Sequence, residues 1–128
     1  MSLRSPLGAA LGRGSAREGV GHWLTQRTTA LAMLPLSVWL LVAFVRLPLA
    51  DHAALVWWIG SGWNAALLSL TVVAAALHSM HSVQTIMEDY IHQHVVKYWA
   101  MHANRGGHIL VGAGAIYAIL RIALRGAA

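Results

Sequence analysis

The sequence predicts an all-α membrane protein with three transmembrane helices, and three observations carry that prediction. Of 128 residues, 58% are hydrophobic and only 10% charged, where soluble domains carry about 25% charged residues. Residues 28–45 contain no Asp, Glu, Lys or Arg, enough to cross about 30 Å of hydrocarbon. Residues 53–87 are equally free of charge and too long for a single span, while Gly106 to Leu120 supplies a third apolar stretch. With no cysteine, disulfides, thiolate zinc sites, cysteine-ligated iron–sulfur clusters and c-type haem attachment are all excluded. Eight histidines and five methionines remain as soft metal ligands. The formal charge of +5 does not indicate nucleic acid as a partner, because the arginines flank apolar segments instead of forming one basic face. They read as topogenic charge beside membrane lipid.

Taken in order, residues 1–26 read as a flexible basic cytoplasmic tail and interfacial segment, and 27–125 as a three-helix membrane domain. The apolar content of the tail is too broken for a signal-peptide core, so no cleavage is expected. The first span covers 28–45, with Pro35 a kink that neighbouring helices in a membrane can accommodate. Residues 46–52 connect it onward. Gly60-Ser61-Gly62 divides the long uncharged run, leaving 53–59 with Trp57 and Trp58 at the interface and a second span over 63–87. Residues 88–105 are polar and aromatic and predict a surface-lying helical segment with Tyr98 and Trp99 at headgroup depth. The third span covers 106–124, with Arg121 snorkelling. Within it Gly107, Gly114 and Ala118 form a small-residue stripe suited to close helix packing. Three spans put the termini on opposite sides. Arg4, Arg13, Arg17, Arg27, Lys97 and Arg105 then share the side opposite Arg46, Arg121 and Arg125, which predicts a cytoplasmic N-terminus and a C-terminus on the opposite, periplasmic side.

The chemistry concentrates in His78 to His92. An ionisable side chain within a span is costly and marks a functional site. On a helix His78, Ser82, Thr85 and Asp89 share one face, and His78 lies roughly 16 Å from Asp89 at 1.5 Å per residue. With Asp89 at the surface, His78 sits near mid-bilayer, where an imidazole beside the small Ser82 suits an axial haem ligand. His81, roughly 60° around the helix, is the rival on spacing, and a histidine hydrogen-bonded to a neighbouring helix is the plainer alternative. No second histidine is expected at matching depth, since His22, His94, His102 and His108 read as near-surface residues, so a second axial ligand would come from another polypeptide. Asp89 and Tyr90 could bind a quinone head, Tyr90 donating to a carbonyl oxygen, or could be a helix-end acid and an interfacial tyrosine. Arg27 is either a snorkelling anchor or a cation near a haem propionate or quinone carbonyl. A cofactor-free structural or transport protein and a cytochrome b subunit of another complex are the competing functions.

These residues resemble a known family. His78, Ser82, Gln84, Glu88, Asp89, Tyr90, Ile91 and His92 are spaced as in the H-x3-G-x-Q-x3-E-D-Y-[VI]-H signature of the hydrophobic membrane anchor (D) subunit of succinate dehydrogenase, respiratory complex II. Upstream, Gly21, Trp23, Gln26, Arg27, Thr29 and Ala30 are similar to that family's G-x-W-x2-Q-R-x-T-A stretch. One departure is Ser82, where the family usually has glycine; another is His81, at a position often apolar in the family. The resemblance implies a non-catalytic subunit in which His78 is an axial ligand of haem b, the other coming from a cytochrome b-type C subunit. It further implies that Ser82 packs against the haem, that Tyr90 and Asp89 contact ubiquinone, and that Arg27 lies near the propionates and the quinone. The iron–sulfur and flavoprotein subunits would be the remaining partners.

Overall fold

The computed structural model describes residues 16–48 and 51–126; part of the expected N-terminal tail, 1–15, lies outside the described residues. Four helices follow one another: α1 Ala16–Arg46, α2 His52–Gly60, α3 Gly62–Tyr90 and α4 His94–Gly126. Three of them, α1, α3 and α4, are long and apolar enough to cross a membrane. At 1.5 Å per residue the 29 residues of α3 rise roughly 43 Å, exceeding the hydrocarbon thickness of about 30 Å. The helix α1 continues through Pro35, as a span buttressed by neighbours can.

The breaks follow local chemistry. Asp51 caps α2, its carboxylate accepting from the Ala53 and Ala54 amides at 2.9 and 3.3 Å, two donors that would otherwise lack partners at a helix start. At the other end of α2, the Ser61 amide and the Asn64 side chain both donate to the Trp58 carbonyl, closing the turn into α3. Trp58 also stacks on Trp39 of α1, with centroids 5.5 Å apart. Within the spans, Thr25, Thr28, Thr29, Thr71, Ser82 and Thr85 each donate to a carbonyl of their own helix. Apolar surroundings offer a hydroxyl proton few other acceptors.

The long helices form a layer, with α3 in the middle. α1 and α4 both pack on α3, and among the described residues they make no close backbone approach to each other; α2 bridges α3 and α4. The α1–α3 contact reads directly in burial: Gln26, Thr29, Met33, Leu36, Trp39 or Leu40, and Ala43 recur every three or four residues on the covered face of α1, the spacing of a helical stripe. On α4 the corresponding stripe is Lys97, Met101, Asn104, His108, Gly112, Ile116 and Ile119. Among the described residues only Leu36, Ala43, Ala65 and Ala74 are buried apolar side chains, and Gly112 is the buried glycine. Small residues mark where the backbones come closest.

Two features differ from the sequence expectation. No separate surface helix forms over 88–105: α3 runs to Tyr90, residues 91–93 turn the chain, and α4 begins at His94 and passes unbroken through Gly106 and Gly107. The turn is held by Lys97, whose ammonium donates to the Glu88 carbonyl at 2.9 Å, and by the Ile91 amide on Met87. The expected packing stripe is also displaced. Gly107, Gly114 and Ala118 are exposed in this chain, and a Cβ added at Gly107 or Gly114 would meet nothing within 4 Å. The close approach is at Gly112 instead, where a Cβ would lie 3.7 Å from that of Ala76. That distance admits a methyl and little more. Gly112→Ala is therefore expected to leave thermal stability in detergent unchanged or raised by up to about 1 kcal/mol, whereas Gly112→Ile should lower it by about 1–3 kcal/mol through overpacking; equal melting temperatures for the two variants would contradict the packing described.

Candidate functional site

His78 lies in the middle of α3 and is half-buried against α1. Its Nδ1 is 3.3 Å from the Thr29 hydroxyl oxygen. That hydroxyl already donates its proton to the Thr25 carbonyl at 2.8 Å, so it can only accept from the ring. The proton of a neutral His78 is thereby held on Nδ1, leaving the Nε2 lone pair unshared. A metal-binding imidazole is oriented in this manner, with the non-ligating N–H held by a second group. One turn on, Ser82 donates to the His78 carbonyl at 2.8 Å and accepts from Gln26 Nε2 at 3.5 Å. His78 and Ser82 thus meet Thr29 and Gln26 across one helix contact. Both α1 partners belong to the Gln26–Ala30 stretch whose pattern is visible in the sequence, but the contact itself needed the α1–α3 register.

The other histidines of the spans are disposed differently. His81 faces the α3–α4 side, where it lines a groove with Met80, Gln84, Met101, His102, Asn104 and Arg105. His108 corrects the expectation that no further histidine reaches the depth of His78. Its Nε2 is 3.1 Å from the hydroxyl of Ser79, the residue after His78, and its Nδ1 is 2.8 Å from the Asn104 carbonyl. The early start of α4 carries it inward, roughly 21 Å from His94 by helical rise. Both ring nitrogens of His108 are engaged, Nδ1–H donating to Asn104 and Nε2 accepting from Ser79, and it looks toward α4's own side of α3. It offers no lone pair to a ligand shared with His78. Asn104 adds a further polar link, its amide donating to the Met80 carbonyl at 3.0 Å. Among the described residues no three His, Asp or Glu side chains gather into a metal-binding group. His78, its Nδ1 held and its Nε2 unshared, has the chemistry of a single metal-binding imidazole.

Asp89 and Tyr90 close α3 at its far end, roughly 18 Å from His78 by helical rise. Both are exposed, Tyr90 at 80%. Glu88 accepts from Gln84 at 2.9 Å, and His92 Nδ1 lies 3.2 Å from the Tyr90 carbonyl, while the Asp89 side chain and the Tyr90 ring are exposed. Arg27 is exposed, its guanidinium 5.6 Å from the Trp23 ring centroid, a cation–π distance. Within this chain it does not join His78; Thr29 does, while Gln26 reaches Ser82.

This arrangement agrees with what the chain is similar to. The family described as succinate dehydrogenase/fumarate reductase transmembrane subunit matches residues 1–121. The succinate dehydrogenase hydrophobic membrane anchor subunit of Rickettsia bellii is 33% identical over 89 residues, 70% of this chain and 71% of that protein. The protein of the same description from Rickettsia conorii is 33% identical over 85 residues, 66% of this chain and 68% of its own. No solved structure matches. A layer of three spanning helices, the polar contact of His78 and Ser82 with α1, and these similarities lead to one conclusion: the chain belongs to the succinate dehydrogenase/fumarate reductase transmembrane subunit family.

Proposed function

We propose that this chain is the hydrophobic membrane anchor subunit of a bacterial succinate:ubiquinone oxidoreductase, without catalytic activity of its own, and that His78 is one axial ligand of its haem b. The observation that carries the haem assignment is the Thr29 hydroxyl at His78 Nδ1, which leaves Nε2 as the ligating nitrogen. Bound haem b supplies a one-electron redox centre within the membrane. Toward it, His78 donates the Nε2 lone pair, Thr29 fixes the ring, and Ser82, one turn along, keeps the adjoining surface low while turning its own proton into the helix. A further imidazole would come from a cytochrome b-type C subunit, since His108 is turned away and engaged.

With the N-terminus cytoplasmic and the C-terminus periplasmic, the α3–α4 turn faces the cytoplasm. The iron–sulfur subunit docks there, carrying the flavoprotein on which succinate is oxidised. Tyr90, exposed at that end, donates its phenolic hydrogen to a carbonyl oxygen of ubiquinone, and Asp89 beside it holds a proton for transfer. Arg27 at the same end of the layer stands as a cation toward the propionates or the quinone.

Three outcomes test this reading on the purified complex. His78→Ala should abolish or strongly perturb the b-type signal in the reduced-minus-oxidised spectrum while His81→Ala and His108→Ala preserve it; a normal spectrum in His78→Ala would move the ligand elsewhere. Thr29→Val should keep the haem but raise its midpoint potential by roughly 40 mV, since loss of a hydrogen bond of about 1 kcal/mol makes the imidazole a poorer donor to ferric iron. Redox titration reads this directly, and an unchanged potential would show that Thr29 does not tune the ligand. Tyr90→Phe should lower quinone reductase turnover by at least roughly tenfold with succinate oxidation by an artificial dye acceptor intact; parallel loss of both activities would mean a defect in assembly instead.

A further inference from the structure

Arg121 and Arg125 take no part in the site described above, and they stand at the end of the layer where membrane proteins carry fewer cations. With the N-terminus inside, they and Arg46 are the three basic residues placed against the positive-inside bias. The two lie one turn apart on α4, hence on one face. α2 brings His52 against that face, and Tyr117 sits one turn before Arg121. These four polar side chains line a single groove of about 530 Å³ between α2 and α4, and Val56 and Ile122 form apolar wall. No acidic side chain lines it; Asp51, next to His52, is committed to the amides of Ala53 and Ala54. Depth is set by α4 itself. From Lys97, fixed at the opposite end by the Glu88 carbonyl, to Arg121 the helix rises roughly 36 Å, against about 30 Å of hydrocarbon. The guanidinium groups therefore reach the headgroup layer while the apolar wall descends from it.

We propose that this groove binds the phosphodiester of an anionic phospholipid in the leaflet at the α2 end. Arg121 and Arg125 donate to its non-ester oxygens, a geometry suited to the guanidinium fork. His52 and Tyr117 add donors at the rim, and an acyl chain lies along Val56 and Ile122. Cations at headgroup depth joined to an apolar wall below match an amphiphile with its phosphate uppermost, and an acidic protein segment would use only the upper half. The proposal does not rest on the haem or quinone assignment, since the groove is at the other end of the spans from Asp89 and Tyr90.

Native mass spectrometry of the delipidated complex, titrated with phosphatidylglycerol, phosphatidylcholine of the same chains, or inorganic phosphate, tests it. Phosphatidylglycerol should bind wild type roughly thirty-fold more tightly than the Arg121→Gln/Arg125→Gln variant. Arg46→Gln should bind it as wild type does, and phosphatidylcholine should bind weakly and equally throughout. The charge-preserving Arg121→Lys/Arg125→Lys variant should retain most of the affinity, which keeps the test valid where the glutamine variant fails to assemble. Equal phosphatidylglycerol affinity in wild type and the glutamine variant would overturn the proposal, as would phosphatidylcholine binding as tightly or inorganic phosphate competing on equal terms. Capture of another subunit or a second copy, in place of lipid, by a photo-crosslinker at residue 117 would overturn it as well.

Discussion

The structure depends on α3 holding polar contacts on two sides in a medium that satisfies none of them. On the α1 side His78 and Ser82 meet Thr29 and Gln26; on the α4 side Ser79 and Met80 meet His108 and Asn104. Unpaired polar groups in hydrocarbon cost several kcal/mol each, so these contacts constrain the register of both neighbours. Each interhelical bond contributes little by itself, about 0.6 kcal/mol on average in membrane proteins. Their value is specificity. Leu, Val and Ala surfaces slide past one another in lipid at small cost, and a histidine that must find a serine does not. The small residues Ala43, Ala65, Ala74 and Gly112 then let the helices approach at the register the polar atoms have chosen.

A layer is an incomplete solution for three membrane helices. Among the described residues α1 and α4 each meet α3 and not each other, and only four apolar side chains are buried. Much of the exposed surface suits lipid, which is as apolar as leucine. The exposed glycines at 107 and 114 are different, because a glycine facing acyl chains gains nothing from its lack of a side chain. They lie where another helix can come close.

Much of this was legible in the sequence. The charge-free runs located the spans, Gly60-Ser61-Gly62 marked the break between α2 and α3, and the resemblance of the His78–His92 stretch pointed to the family that the comparisons establish. What escaped the sequence was register and continuity. Residues 94–105 look interfacial by composition, yet with no proline after His94 and with Lys97 anchored to the Glu88 carbonyl nothing stops α4 from starting early. That shift carried His108 to the depth of His78. Thr29 and Gln26 were visible as a motif, but their partnership with His78 and Ser82 joins residues far apart in sequence. Arg27, the residue between them with the conspicuous charge, is turned outward over Trp23 instead. Helical periodicity reports which residues share a face; it says nothing about what that face meets.

The turn over residues 91–93 has a consequence for how the subunit comes into being. Two long antiparallel helices joined by so short a link close their first contacts over a small loop, at little entropic cost. Lys97 on Glu88 and Asn104 on Met80 can form as soon as α4 enters the bilayer. α1 meets His78 through Thr29, 49 residues away in the chain and on the far side of α2 in sequence. The hairpin of α3 and α4 is thus the more local unit of the fold, and the contact that holds the imidazole is made over the longer separation in sequence. The hold on the His78 ring is thus tied to the seating of α1 and not to the α3–α4 hairpin, so a change that unseats α1 frees the imidazole while leaving the hairpin's own contacts in place.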